Sequence, residues 1–372
     1  MLSGKYRATV FIVALLLSIP GLCNAANGLD AANERARQFI RQTMKEMRIP
    51  GLQIAVVSQD EVVLSESYGL ANVEDAIAVS KTTLFPINSA TKSFTGVAMM
   101  QLAEAGLVDL DAPISRYLDD LPEAWRVVRV RQLLAHTSGL PDIVGAQGLI
   151  GGGTEADAWK AVKALPMDAP TGTRFAYNQT NYALLARIIA AQTKMSHERF
   201  FAERQFAPAG MRATTFGDGY DLVANAAAVY SYARSRPLVP GDDNRLGRWI
   251  DDLPPGLRAG SGMKTTADEL AHWLIALSKG QLISAASVQR MWTPEKLDSG
   301  ADADWAAGWP VLDATAGKRR LAGIGGGRAA FVVYPDDGLA IVVLTNLVGS
   351  NPQRFIPKIA AFYPPAQAMP LP

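Results

Sequence analysis

The 372-residue chain has 36 lysines and arginines against 35 aspartates and glutamates, and 49% of it is hydrophobic. That size and balance allow one large or two joined domains with a sizeable core. The lack of a strongly basic run argues against nucleic acid or an anionic membrane surface as a partner. A single cysteine, Cys23, rules out a disulfide framework.

Residues 1–25 differ in kind from the rest. Lys5 and Arg7 form a basic start, Val10 and the residues to Ile19 a short apolar run, and Cys23-Asn24-Ala25 a small-residue end. The run is too short to cross a bilayer and reads as an export signal cut after Ala25. An uncleaved N-terminal anchor is the alternative, and Leu22 disfavours a lipoprotein reading through Cys23. Cleavage would leave a near-neutral, cysteine-free chain with no stable membrane anchor, periplasmic or secreted.

Asp30 is predicted to cap a helix over 31–47, with Ala36, Phe39, Ile40, Met44 and Met47 on one stripe and Pro50-Gly51 beyond it. Residues 52–57 and 62–68 read as a hairpin about Gln59-Asp60. Pro86 and Asn88 break any helix running up to Ser89, and residues 95–107 are rich in Ala, Met and Leu until Gly106. Ser89 is therefore expected at or near the first turn of a mostly apolar helix, with Lys92 one turn on and on the same face. From about 109 to 255 the pattern is helical and loop-rich. Thr266-Ala267-Asp268-Glu269 has the spacing of a capping box and opens a helix to about 278. Strands are predicted over 309–312, 319–322, 329–334 and 339–345, with Asp337-Gly338 as a tight turn. A helix over 352–362 precedes a Pro-rich tail, 364–372, predicted to be disordered.

The fold class so read is α+β. One sheet is built from both ends of the chain (about 26–88 and 256–363), and a mostly helical region (about 89–255) is inserted between its halves. A cleft between such halves is a natural binding place.

A serine hydroxyl is a poor nucleophile until a nearby base takes its proton. A lysine can be that base if burial and neighbouring positive charge lower its pKa. The free N–H groups of a helix N-terminus suit a developing oxyanion. Alone, S-x-x-K also arises by chance on surface helices; its companions along the chain give it weight. They are Leu133-Leu134-Ala135-His136-Thr137-Ser138-Gly139-Leu140, Phe175-Ala176-Tyr177 followed by Tyr182-Ala183-Leu184-Leu185, and Gly260-Ser261-Gly262-Met263. Gly308-Trp309, then Gly325-Gly326-Gly327 leading into Phe331, and Leu344-Thr345-Asn346 complete the series.

In this order and spacing, over about 45–348, the chain resembles the serine hydrolases of the class C β-lactamase, D-alanyl-D-alanine carboxypeptidase and related esterase superfamily. The resemblance implies an antiparallel sheet flanked by helices (an α/β sandwich) with a mostly helical second domain. It implies that Ser89 attacks a carbonyl carbon to form an acyl-enzyme, with Lys92 as its proton acceptor and Tyr177 sharing the base role. It also implies an oxyanion hole from the N–H groups of Ser89 and Gly327; no metal-binding cluster stands out in the sequence, and no cofactor is expected.

Two positions depart from the family pattern. Its Tyr-x-Asn is Tyr177-Asn178-Gln179 here, so the amide sits one methylene further out, and neither Asn178 nor Asn181 is the expected equivalent. Its third motif begins with Lys or His, a small residue and Gly, but counting back from Phe331 finds Ile324-Gly325-Gly326. Gln179, Ile324, Gly325 and Gly326 are thus the expected substrate-binding positions. An uncharged Ile324 argues against β-lactams and D-Ala-D-Ala peptides, unless Arg319, Arg320 or Arg328 supplies the charge.

Other signals are expected to be structural. His136 near Ser138 lacks a G-x-S-x-G elbow, His197-Glu198 lacks the second histidine of a zinc helix, and Gly151-Gly152-Gly153 lacks the lysine of a phosphate loop. Gly323 to Gly327 leads into a strand rather than a helix. Trp159, Trp249, Trp292 and Trp305 are expected mostly in the core. The expected function is an exported serine hydrolase cleaving a small ester, or second an amide. A β-lactamase or D-peptidase acting on peptidoglycan-like substrates, and a sensor that binds without turnover, are the alternatives.

Overall fold

Buried runs of Val, Ile, Leu and Ala at both ends of the chain pair into one seven-stranded antiparallel sheet. Its strands are β1 (Gly51–Ser58), β2 (Glu61–Asn72), β3 (Ile77–Ala78), β4 (Val311–Thr315), β5 (Lys318–Gly325), β6 (Ala329–Tyr334) and β7 (Leu339–Thr345). The spatial order is β4-β5-β6-β7-β1-β2-β3, so β1 and β7 join the two ends of the sequence at the centre. This computed structural model describes residues 20–146, 148–232, 245–315 and 318–363. The basic start and apolar run of the predicted export signal, and the predicted tail, lie outside the described residues.

Central strands buried on both faces read as continuous apolar runs. Ile54, Val56, Ile341 and Val343 face one layer, where they meet Ala36 and Ile40 of helix α1 (Pro20–Met47) and Ile356 and Ile359 near the C-terminal end. Ala55, Val57, Val342 and Leu344 face the other, larger layer of helices. That layer contains α2 (Lys92–Glu104), α3 (Gln179–Thr193) and α4 (Ala267–Ser278). Phe94, Trp273, Trp309 and Phe331 pack together beneath it. Asn346 locks the central seam: its Oδ1 accepts the Gly51 N–H at 2.8 Å and its amide donates to the Leu70 carbonyl at 2.9 Å.

Several expectations are corrected. Asp30 is not a cap, because α1 is already helical from Pro20 and an N-cap needs non-helical backbone. Met47, expected on the buried stripe, is exposed. Trp309 precedes β4 and is wholly buried, and β5 runs to Gly325 rather than ending at 322. The predicted C-terminal helix is a 3₁₀ turn, Pro352–Arg354, followed by a short helix, Ile356–Ala360. Pro352 and Pro357 each remove a backbone donor from that stretch. Thr266 does cap α4, accepting the Glu269 N–H, but the Glu269 carboxylate holds Ala213 and Thr214 instead of closing the box.

Candidate active site

Ser89 lies in a single 3₁₀ turn, Asn88–Thr91, that runs directly into α2, whose first residue is Lys92. The backbone enters that turn through Asn88 at φ +44°, a left-handed conformation that asparagine tolerates better than most side chains. Lys92 is completely buried. Its ammonium is directed at three acceptors: the Gly260 carbonyl at 2.9 Å, Gln179 Oε1 at 3.1 Å and Ser89 Oγ at 3.4 Å. That set occupies all three donors of a protonated lysine. The Tyr177 hydroxyl donates to Ser89 Oγ at 2.7 Å, and Lys92 Nζ lies 4.8 Å from the Tyr177 ring centre and 4.9 Å from that of Tyr182. Ser89 Oγ thus sits between the buried Lys92 Nζ and a phenol whose residue is 38% exposed, the geometry of a nucleophile with two proton-handling neighbours.

His136 clamps Tyr177 from behind. Its carbonyl accepts the Ala176 N–H at 2.8 Å, its Nδ1 accepts the Asn178 N–H at 3.1 Å, and its ring lies 4.4 Å from that of Tyr177. The edge of Trp305 closes the same side at 5.6 Å. Ser138 donates to Asn181 at 2.6 Å, so it does not pair with His136, and both belong to the scaffold. Asn178 caps α3 through the Asn181 N–H and donates to the Leu140 carbonyl. With both asparagines so engaged, the Gln179 amide is the one that reaches Lys92. Asp142 accepts the Gln179 N–H at 3.0 Å, and burial raises its pKa despite its backbone hydrogen bonds.

Burial holds two histidines neutral. His136, also beside the Lys92 charge, is well below the usual imidazole value, and His197 is pushed down to about 4 by burial and the Arg258 charge. The unfolded chain binds protons near the ordinary histidine pKa of about 6.5 and the folded chain does not. Stability is therefore full above that value and falls as pH drops below it, by about 1.4 kcal/mol per pH unit and site. For His197 the loss accumulates between about 6.5 and 4. The free energy of urea unfolding should be lower at pH 5 than at pH 7.5, and His197→Gln should flatten that slope; an unchanged slope refutes the assignment.

The end of β5 forms the third wall. A Cβ on Gly325 would meet the Ile87 carbonyl and lie 2.8 Å from Ser89 N, so only glycine lets this strand lie against the serine turn. Gly326 and Gly327 make the hairpin turn at φ +57° and +62°. The Gly327 carbonyl accepts from Gly349 and Asn351, while the N–H groups of Ser89 and Gly327 donate no hydrogen bond among the described residues. An added Cβ on Gly325 would point at the Ser89 backbone, while one on Gly327 would point at Asn351 and Gly349. Ile324 is not brought to Ser89: it packs with the α1 layer, on the sheet face opposite Gly323 and Gly325. The cation at this level is Arg328, wholly buried beside Asn88 and paired with Asp251. Arg319 lies away from the turn, against Gln289 and Asp336.

A cavity of about 620 Å³ opens beside the site, lined by Pro86, Leu222, Trp249, Ile250, Asp251 and Ser261 among others. Ser89, Lys92 and Tyr177 do not line it. It adjoins them through Pro86, through Asp251 at Asn88, and through Ser261 next to Gly260. Leu222 and Ile250 are exposed at its mouth. A second cavity of about 800 Å³, between Trp159, Arg187 and His197, holds none of the expected site residues. No group of three or more His, Cys, Asp or Glu side chains among the described residues is arranged to hold a metal ion.

The pattern of the family described as Beta-lactamase matches residues 36–362. Protein flp of Staphylococcus aureus (strain MW2) is 28% identical over 242 residues, 63% of this chain and 47% of flp, so the chain spans about half the length of that relative. A putative penicillin-binding protein, PbpX of Bacillus subtilis (strain 168), is 26% identical over 84% of this chain and 74% of its own length. Among solved structures, EstCE1, described as a hydrolase with promiscuous acyltransferase activity, shares the fold. It has a TM-score of 0.74 at 19% identity, covering 90% of this chain and 99% of its own.

Proposed function

From the chain's membership of the beta-lactamase family of serine hydrolases, we propose that it is an exported enzyme that hydrolyses a small neutral ester through Ser89, Lys92 and Tyr177. The observation that carries the reading is the state of the two cations adjoining Ser89. Lys92 directs its three donors inward, and Arg328 is buried against Asp251, so neither is offered to a substrate carboxylate.

Once the Lys92–Tyr177 pair has released one proton to solvent, Ser89 Oγ attacks the ester carbonyl carbon and its own proton passes to the vacated member of the pair. The N–H groups of Ser89 and Gly327 receive the developing oxyanion, each donor contributing about 10²–10³ in rate. As the carbonyl re-forms, the bond to the alcohol oxygen breaks and Tyr177, the solvent-facing member of the pair, returns the proton to that oxygen. Water then attacks the acyl group on Ser89, using the same pair as base, and the acid leaves. The apolar mouth formed by Leu222 and Ile250 suits an uncharged acyl or alcohol portion.

The name of PbpX favours a second reading, a D-peptidase or β-lactamase, as that of EstCE1 favours the first. Initial rates on p-nitrophenyl butyrate, benzylpenicillin and a D-Ala-D-Ala peptide separate them. Saturable ester hydrolysis with the other two slow is expected; turnover of the peptide or penicillin without ester hydrolysis would replace the first reading by the second.

A further inference from the structure

We infer that the buried Arg328 and the partly buried Asp251 form an ion pair that positions the Ser89 turn for acylation by gripping the Asn88 amide; this rests on the serine-hydrolase reading above. Asn88 immediately precedes the nucleophile in the chain, and both ends of its side chain are held. Arg328 Nη2 donates to its Oδ1 at 2.6 Å, and its Nδ2 donates to Asp251 Oδ2 at 3.3 Å. The same Asp251 oxygen takes the Arg328 guanidinium in a close ion pair, and the other accepts the Trp249 indole N–H at 2.9 Å. The arginine backbone is fixed as well, since the Arg328 carbonyl accepts the Thr345 N–H at 2.9 Å and its hydroxyl at 3.0 Å.

The three residues come from separate parts of the chain: the serine turn, the loop lining the adjacent cavity, and the β5–β6 hairpin. Gly326 leaves room for them, because a Cβ there would lie 2.9 Å from the Asn88 amide and 3.2 Å from the Arg328 guanidinium carbon. Asn88 holds a left-handed backbone that relaxes if its side chain is released. Relaxation would rotate the Asn88–Ser89 peptide, and with it both the Ser89 N–H and the direction of Oγ. An ion pair that only tied the loop to the hairpin would not need the asparagine amide hydrogen-bonded to both its partners.

The test compares native protein with Asp251→Asn, Arg328→Lys and Asn88→Gly. Two properties are read: the rate at which a fluorophosphonate labels Ser89 (an Oγ–P bond forms and fluoride leaves), and kcat and KM for p-nitrophenyl butyrate. Misplacing a nucleophile by a fraction of an ångström is expected to lower labelling and kcat by about tenfold to a hundredfold, with KM within about threefold. The Asp251→Asn/Arg328→Lys double variant should lose no more than the worse single one, because the pair acts as a unit. Asn88→Gly accepts the positive φ and leaves the ion pair intact, so it carries the test even if the charge variants do not fold. Native labelling and kcat in Asn88→Gly, or a loss confined to KM, overturns the inference. A native protein that is not labelled at Ser89 overturns the serine-hydrolase reading itself, and the inference with it.

Discussion

Replacing Ser89 by alanine is expected to lower kcat for p-nitrophenyl butyrate by about 10⁴-fold or more, because the attacking atom itself is removed. The substitution is small for the fold. Ser89 Oγ receives hydrogen bonds from Tyr177 at 2.7 Å and from Lys92 at 3.4 Å, and Lys92 keeps the Gly260 carbonyl and Gln179 as partners. The thermal midpoint should therefore stay near the native one while activity disappears. Mass spectrometry on rapidly quenched native protein should find an acyl group on Ser89 that the variant lacks. A variant that hydrolyses at the native rate would remove Ser89 from the mechanism. An adduct that forms on native Ser89 and persists without product would favour the sensor alternative.

The second large effect is at the pair beside it. Tyr177→Phe is expected to reduce kcat by about 10²–10⁴ with little loss of stability. The Tyr177 hydroxyl donates to Ser89, and its ring stays packed on His136. Lys92→Met should cost a similar factor in kcat and stability as well. It leaves the Gly260 carbonyl and Gln179 Oε1 without their buried donor, at about 1–3 kcal/mol for each such group. The Tyr177→Phe/Lys92→Met double variant should be little slower than the worse single one, since both act on one proton. Multiplying effects would assign the two residues to separate steps. A Tyr177→Phe variant at native rate would leave Lys92 alone as the base.

Much of the framework was legible in the letters. β6 and β7 fall at 329–334 and 339–345 as expected, because two continuous apolar runs, AAFVVY and LAIVVLT, are separated by Pro335 and by Gly338, whose left-handed backbone makes the turn. Gln59 and Asp60 both take positive φ in the predicted hairpin. The start of α1 was not legible, since a hydrophobic stripe marks the buried face of a helix rather than where it begins. The small sheet joining Phe85–Pro86 to Met263–Thr265 and Thr215–Phe216 was invisible too, because strands of two or three residues have no period to read.

For the site the division is physical. The sequence by itself determined that Ser89 and Lys92 stand one turn apart, since that is a matter of helix spacing, and the family pattern laid on it pointed to Gln179 rather than Asn178 or Asn181. Only the tertiary structure decided what surrounds them. Gly260 offers Lys92 a carbonyl 168 positions away, and Asp251 reaches Asn88 across 163. Ile324 turned out to face the α1 layer because side chains alternate along a strand, so its direction depends on a register that pairing with β6 fixes. Arg328, one of the three arginines left open as the source of the third motif's charge, lies beside the serine turn and is neutralised there by a carboxylate that no local pattern announces.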